Sequence, residues 1–412
     1  MYFYSTNNFK PMKRLLFYSF LLSIFIACNT GKSAKKETLQ QVEAVLELAR
    51  QKSLAMAVSL AERPDRLPKT IGSDGTLETC TSDWWVSGFF PGQLWYLYEY
   101  SGDTMLKNWA ENYTQRVADQ QFTTDNHDVG FIIFCSFGNA YRITGDSVYL
   151  SAIENASKSL ITRFNPHIGC IKSWDTHHWN NHWQYAVIID NMMNLELLEW
   201  SARKFNEPLF SEIARIHANT TIRNHFRPDG SSFHVVSYDT ITGEPHAKHT
   251  AQGFSHESAW ARGQAWGLYG YTMMFRETGD SVYLHQAIKI ADFLVNHPRL
   301  PEDKIPYWDF DAPNIPDALR DASAGAIMCS ALLELFAYAD ESRADLYFQT
   351  AEMQLKALCA APYLSTMGEN ANFILKHGVG HFPNNSEVDV PLTYADYYFV
   401  EALLRYLTIH KA

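Results

Sequence analysis

The heptapeptide Thr144-Gly-Asp-Ser-Val-Tyr-Leu150 recurs unchanged as Thr278-Gly-Asp-Ser-Val-Tyr-Leu284, and a looser copy stands at Tyr100-Ser-Gly-Asp-Thr-Met-Leu106. Each copy follows one long helical pattern and precedes another. Its chemistry suits a corner between helices: Gly takes the left-handed position that ends one helix, Asp or Ser caps the next, and Tyr-Leu begins an apolar stripe. Two further corners, Phe205-Asn-Glu-Pro208 and Tyr338-Ala-Asp-Glu341, lack the Gly but separate similar helices. One hairpin per corner, with the end helices added, predicts about a dozen helices, and such hairpins must bury their faces on neighbours. About six pairs without capping repeats are expected to close into a ring. The fold class is therefore all-α, an (α/α)6 toroid. Ser232 to Tyr238 alternates enough for one short strand beside it. No linker follows residue 38, so residues 39–412 are expected to form a single domain.

The N-terminus reads as a targeting segment. Lys13 and Arg14 precede an apolar run, Leu15 to Ala27, that ends at Cys28. The run is too short to span a bilayer and suits the core of a signal peptide. Phe25-Ile26-Ala27-Cys28 resembles a bacterial lipobox, which predicts cleavage before Cys28 and lipidation of that thiol. Residues 1–28 are then a signal, with Met12 as an alternative start, and 29–38 a polar tether. The expected location is the periplasm or the cell surface. An ordinary cleaved signal is the other reading. The remaining cysteines, Cys80, Cys135, Cys170, Cys329 and Cys359, are odd in number and form no CxxC pair. They read as buried free thiols, with neither a disulfide framework nor a zinc site implied.

A formal net charge of -11 excludes a general nucleic-acid binder. An anionic small substrate would need a local basic cluster. The connections holding Trp84-Trp85, Trp174 to Trp183 and His246 to Trp260 are longer and more aromatic than the Gly-Asp corners, so function is expected at their end of the ring. Asp128 and Asp190 are the candidate catalytic carboxylates. Asp128 stands where a polar turn enters an apolar helix, a place that also suits a cap. Asp190, in Ala186-Val-Ile-Ile-Asp-Asn-Met-Met193, has apolar neighbours on both sides, and a helix there would put Ala186 and Asn194 on its face. It is either an ion-paired structural residue or a functional one. A helix N-terminus favours the anion at Asp128 and apolar surroundings favour the proton at Asp190, the division of labour used in acid/base chemistry on sugars.

Arg262 and Trp266, four apart, would share a helix face and offer a carboxylate grip beside a stacking surface, or simply pack on each other. Lys248, His246 and His249 add positive charge nearby. His178 and His182 have i, i+4 spacing, but no HExxH pattern or Cys partner accompanies them, and no metal is assigned. Walker, GxGxxG and GxSxG motifs are missing from the sequence, which removes nucleotide and serine-hydrolase readings.

Five stretches taken in order resemble the unsaturated glucuronyl hydrolases of glycoside hydrolase family 88. They are Trp84-Trp-Val-Ser-Gly-Phe-Phe-Pro-Gly-Gln-Leu-Trp95, His127-Asp-Val-Gly-Phe131, Ile189-Asp-Asn-Met-Met-Asn194, Glu257-Ser-Ala-Trp-Ala-Arg-Gly-Gln-Ala-Trp-Gly267 and Glu387-Val-Asp-Val-Pro-Leu-Thr-Tyr-Ala-Asp-Tyr-Tyr-Phe399. The resemblance implies an (α/α)6 barrel, Asp190 as general acid/base and Asp128 as the second essential carboxylate. It further implies substrate binding by His234, Thr250, Gln252, Arg262 and Trp266, with Trp84 or Trp85 and Trp174 in the pocket wall. The implied substrate is an oligosaccharide ending in a 4,5-unsaturated uronic acid, as polysaccharide lyases leave it, and no cofactor is implied. Some members that act on glycosaminoglycans carry Ser-x-x-Ser-x-Lys for sulfate. Here His381-Phe-Pro-Asn-Asn-Ser-Glu-Val-Asp389 lacks that Lys, with Lys376 and His377 as conceivable substitutes. The competing readings are an unsaturated rhamnogalacturonyl hydrolase acting on pectin fragments and a non-catalytic sugar-binding surface lipoprotein.

Overall fold

The computed structural model describes residues 12–411, with side chains from residue 35 onward. The expectations of a signal peptide over 1–28 and of lipidation at Cys28 lie outside the described side chains. Of the described residues, those up to Val45 form one unit and those from Leu46 onward a compact body. Helix α1 (Met12–Ser59) runs through residues 29–38, so the tether expected there is helical.

Beyond α1, the body holds α2 (Phe89–Ser101), α3 (Thr104–Gln115), α4 (Asn139–Thr144), α5 (Leu150–Ile161), α6 (Leu195–Phe205) and α7 (Pro208–His225). They are followed by α8 (Ala261–Thr278), α9 (Ser281–Val295), α10 (Ala322–Leu335), α11 (Glu341–Leu358) and α12 (Thr393–Lys411). A wide-wound π-helical stretch, Gly130–Gly138, leads directly into α4. Inner helices touch in a closed cycle: α2, the π stretch with α4, α6, α8, α10, α12, then α2 again. The outer helices α3, α5, α7, α9 and α11 each lie on the inner helix they follow in sequence. The toroid expected from the corners is the fold observed.

The corners form as their residues dictate. Gly102, Gly145 and Gly279 adopt φ of 66°, 69° and 67°, and Asp103, Asp146 and Asp280 cap the next helices by accepting from the N–H groups of Met105, Val148 and Val282. At one of the two corners without Gly, Asn206 takes the left-handed position, with φ 54°, and Pro208 starts α7. A cavity of about 850 Å³ opens at this end, lined by Glu99, Arg142, Arg276, Glu334, Glu401 and Arg405 among others. Neither Asp128 nor Asp190 reaches it.

Strands are more numerous than expected. Beside the ring lie β1 (Leu67–Ile71) with β2 (Leu77–Cys80), β3 (Phe164–Asn165) with β4 (Cys170–Ile171), and a sheet of β5 (Tyr185–Ile188), β6 (Val235–Tyr238) and β7 (Pro245–His249). β8 (Gly378–His381) pairs with β9 (Ser386–Val390). The helix expected around Asp190 is corrected here. Residues 185–188 are a strand and Ile189–Asn194 a 3₁₀ turn, so Ala186 and Asn194 do not share a helix face. Val187 and Ile188 pair with Val236 and Val235, and β-branched residues favour that pleated surface over a helix. Cys80, Cys135, Cys170 and Cys329 are free thiols, and all of them but Cys135 are buried.

Candidate active site

The three-stranded sheet lines up the site. Ile188 pairs with Val235 and Val235 with His249. Asp190, His234 and Thr250 therefore leave neighbouring strands at the same end. Ile189 N–H donates to the His234 carbonyl at 3.0 Å, which fixes the turn that carries Asp190. The Asp128 segment is tied in from the other side: Asn126 bridges to Trp174, and His127 N–H donates to the Ser173 carbonyl at 3.1 Å. Ser173 N–H in turn donates to the Ala186 carbonyl at 2.8 Å, and its hydroxyl accepts from Ile188 N–H at 2.9 Å. Two carboxylates 62 positions apart in sequence are thus joined through one serine.

Their side chains are 14% and 10% exposed, Asp128 and Asp190 respectively. Burial pushes Asp128 up to about 8, and the neighbouring charge of Asp190 adds to the rise. Burial pushes Asp190 up to about 7, opposed first by the Arg262 guanidinium. Repulsion acts equally on both members, so they titrate as a unit that retains a proton near neutrality. The expected division, Asp128 ionised and Asp190 protonated, is not what the surrounding groups favour. Among the described residues the Asp128 carboxyl accepts no backbone N–H of the helix it precedes, while Arg262 stands near Asp190 and favours its anion.

Two neutral histidines flank the pair. His234 Nδ1 accepts from the N–H groups of Ala251 and Gln252 at 3.2 and 3.3 Å, and Thr250 Oγ1 lies 3.5 Å away. Its remaining N–H, on Nε2, therefore faces Asp190 Oδ2 at 3.7 Å. Burial, and next the Arg262 charge, hold this imidazole well below its ordinary pKa. His127, buried and pushed down to about 3 chiefly by desolvation, sets Nε2 at 3.4 Å from Asp128 Oδ1. That approach is between a neutral ring and a carboxyl and is no ion pair. His127 was missed as a site residue, although it stands beside Asp128 in the chain.

Arg262 and Trp266 do share a face of α8, but the guanidinium is not an open clamp. Nη1 donates to Asp321 Oδ2 at 3.3 Å and to the Val379 carbonyl, and Nη2 to the Gly380 carbonyl at 2.6 Å. Nη1 is committed to the protein, while Nη2 keeps an N–H beyond its bond to Gly380 and Nε has no partner among the described residues, so the guanidinium is a partly anchored charge held near Asp190. Gln252 Nε2 reaches the same Gly380 carbonyl at 3.0 Å. Lys248 lies over Phe233, 5.1 Å from the ring centre, and His377 is paired with Asp389 at 2.6 Å.

The wall is aromatic. Trp174 stacks on Trp183 at 5.8 Å and meets His234 edge-on at 6.3 Å. Trp85 packs on Phe131 and Tyr394, and Phe131 on Trp266. Trp84 is 47% exposed beneath Lys69, so of the two adjacent tryptophans Trp85 joins this cluster. Trp183 was also missed.

Buried polar atoms are rarely left without partners. Here His127 Nε2, Asp190 Oδ2, His234 Nε2, Arg262 Nε and Trp266 Nε1 all lack a hydrogen bond among the described residues. The indole N–H of Trp266 comes near enough to Asp190 to favour its anion, yet neither atom completes a bond. Such a group of unmet donors around a carboxyl pair is a lining built for a polar ligand.

The model of Glycosyl Hydrolase Family 88 matches residues 65–398. The chain belongs to that family. Among family 88 relatives, it is 46% identical over 322 residues, 78% of this chain and 79% of the relative, to the unsaturated glucuronyl hydrolase of Formosa agariphila. It is 33% identical over 328 residues, 78% of this chain and 81% of the relative, to the unsaturated chondroitin disaccharide hydrolase of Streptococcus agalactiae. A solved unsaturated glucuronyl hydrolase described as specific for heparin superimposes with a TM-score of 0.85 at 47% identity, covering 90% of this chain and 99% of the other. The unsaturated glucuronyl hydrolase of Bacillus sp. GL1 superimposes with a TM-score of 0.80 at 30% identity, covering 87% of this chain and 96% of the other.

Proposed function

We propose that the protein releases 4,5-unsaturated uronic acid from the non-reducing end of lyase-generated, glycosaminoglycan-type oligosaccharides. The observation that carries this reading is the pair Asp128 and Asp190, buried together with a retained proton and ringed by unmet donors. The activities of the family relatives supply the substrate class.

The C4=C5 bond of such a sugar is a vinyl ether polarised by the ring oxygen. The pair holds one proton, which must stand on Asp190 once the sugar is bound; Asp190 then delivers it to C4, leaving positive charge shared by C5 and the ring oxygen. Water adds at C5 and gives its proton to the Asp190 carboxylate. The hemiketal so formed opens, and the aglycone leaves from C1 as an alcohol. Asp128 stabilises the cation and holds sugar hydroxyls. His234, kept neutral with its N–H towards Asp190, orients that carboxyl; Thr250 and Gln252 hold His234; Trp85, Trp174 and Trp266 form the apolar wall. The anomeric carbon is not attacked, so carboxylate spacing does not set a stereochemical outcome. No step calls for a cofactor.

The test is the ultraviolet absorbance of the conjugated double bond, which hydration destroys and binding leaves intact. Glucuronyl disaccharides from lyase digests should lose it, and Asp190→Asn should abolish the loss with the fold retained. Full turnover by that variant, or a preference for an unsaturated uronate linked to rhamnose over one linked to an amino sugar, would sink the proposal.

The N-terminal sequence supports membrane anchorage through Cys28, facing the periplasm or the cell surface. Its basis is Lys13-Arg14, the apolar run from Leu15 to Ala27, and Cys28 directly after it. Labelled palmitate should enter the wild-type protein and not Cys28→Ser; equal labelling of both would remove the anchor.

A further inference from the structure

At the rim of the site, the loop after β7 folds back so that His256 stacks on His249, ring centres 4.0 Å apart and 20° from parallel. His182 stands 6.3 Å from His249, on the loop that carries Trp183. His249 Nδ1 accepts from Trp183 Nε1–H at 3.0 Å, and His256 Nδ1 accepts from the backbone N–H of Thr250 at 3.2 Å. An indole N–H and a backbone N–H can only donate, so neither Nδ1 carries a proton. Each ring must then keep its hydrogen on Nε2. The same arrangement leaves neither Nε2 a lone pair for a metal ion. The basic groups acting on His249, after burial, are His256, His182 and His246, with no carboxylate among them.

The pair is joined to the catalytic groups twice. Trp183, which holds His249, stacks on Trp174, and Trp174 meets His234. Thr250, which holds His256, has its hydroxyl 3.5 Å from His234 Nδ1. The two rings therefore stand one residue outside the shell around Asp190, on the side of the tryptophan wall.

We propose that His249 and His256 read a sulfate ester on the sugar that follows the unsaturated uronate, donating their Nε2–H groups to its oxygens. This rests on the proposed hydrolase activity and names how that site selects among its substrates. The residues differ from the Ser-x-x-Ser-x-Lys pattern, whose Lys this chain lacks, and they reach the substrate from another loop. Neutral donors suit a sulfate, which stays ionised across the working range of pH and needs N–H groups more than a titrating partner.

The experiment compares kcat/KM for one unsaturated disaccharide with and without sulfate on its second sugar. The wild-type protein should prefer the sulfated form. His249→Phe and His256→Phe keep a flat ring and remove the donor, and each should lower the sulfated-to-unsulfated ratio about tenfold, through KM. His249→Gln and His256→Gln restore an N–H donor and should recover part of the ratio. A wild-type protein indifferent to sulfate, or Phe variants with an unchanged ratio, overturns this inference while hydrolysis of the unsulfated form leaves the activity standing. Hydrolysis of neither form by the wild type would overturn the activity itself, and the sulfate reading with it.

Discussion

A methyl group added to Gly130 would stand 2.6 Å from the Cα of Asn194, closer than two such carbons can lie. Asn194 also accepts from Phe131 N–H at 3.0 Å through its side-chain oxygen. Gly130 follows Asp128 by two residues and Asn194 follows Asp190 by four, so this contact of backbone on backbone sets how near the two carboxyls come.

Gly130→Ala should therefore harm both stability and catalysis. Overpacking a tight contact costs about 1–3 kcal/mol, and the displaced Asp128 should lower kcat more than it raises KM. Thermal unfolding together with steady-state kinetics checks this; wild-type values for both would show that the contact sets nothing.

Asp128→Asn should stabilise the inactive protein. A carboxyl raised from 3.8 to about 8 contributes its full stability below its unfolded value and loses it as pH rises through the folded one. The wild type therefore carries a penalty at pH 8 that the amide lacks, about 1–3 kcal/mol after allowance for relaxation. Melting temperatures at pH 4 and pH 8 should show the variant ahead only at the higher pH.

Activity should fall as the pair gives up its last proton. With the more strongly held proton leaving at about 8, kcat should decline on the alkaline side through that value. A rate that is level to pH 10 would exclude carboxyl donation from this pair.

Arg262→Ala should unfold more readily than most single variants. It strands Asp321, which is fully buried, and frees the carbonyls of Val379 and Gly380. Breaking a buried pair by removing one partner costs about 3–5 kcal/mol. Denaturant titration measures this; a loss below 1 kcal/mol would mean that water replaces the guanidinium freely.

Much of the ring was legible in the chain because its signals are local. A left-handed Gly followed by a capping Asp acts within a few residues, so the corners at 102, 145 and 279 could be read directly. The relatedness of the chain was carried likewise by contiguous motifs, as was the choice of Asp128 and Asp190. What the chain did not disclose depends on pairings between distant residues. Val187 and Ile188 become a strand because Val235 and Val236 lie opposite, which overrode the helical reading around Asp190. Arg262 became a buried anchor because Asp321, Val379 and Gly380 come from other parts of the ring. Only the tertiary structure decided where the protons sit, since burial and neighbouring charge depend on what lies beside a carboxyl in space, and these are silent in the order of residues.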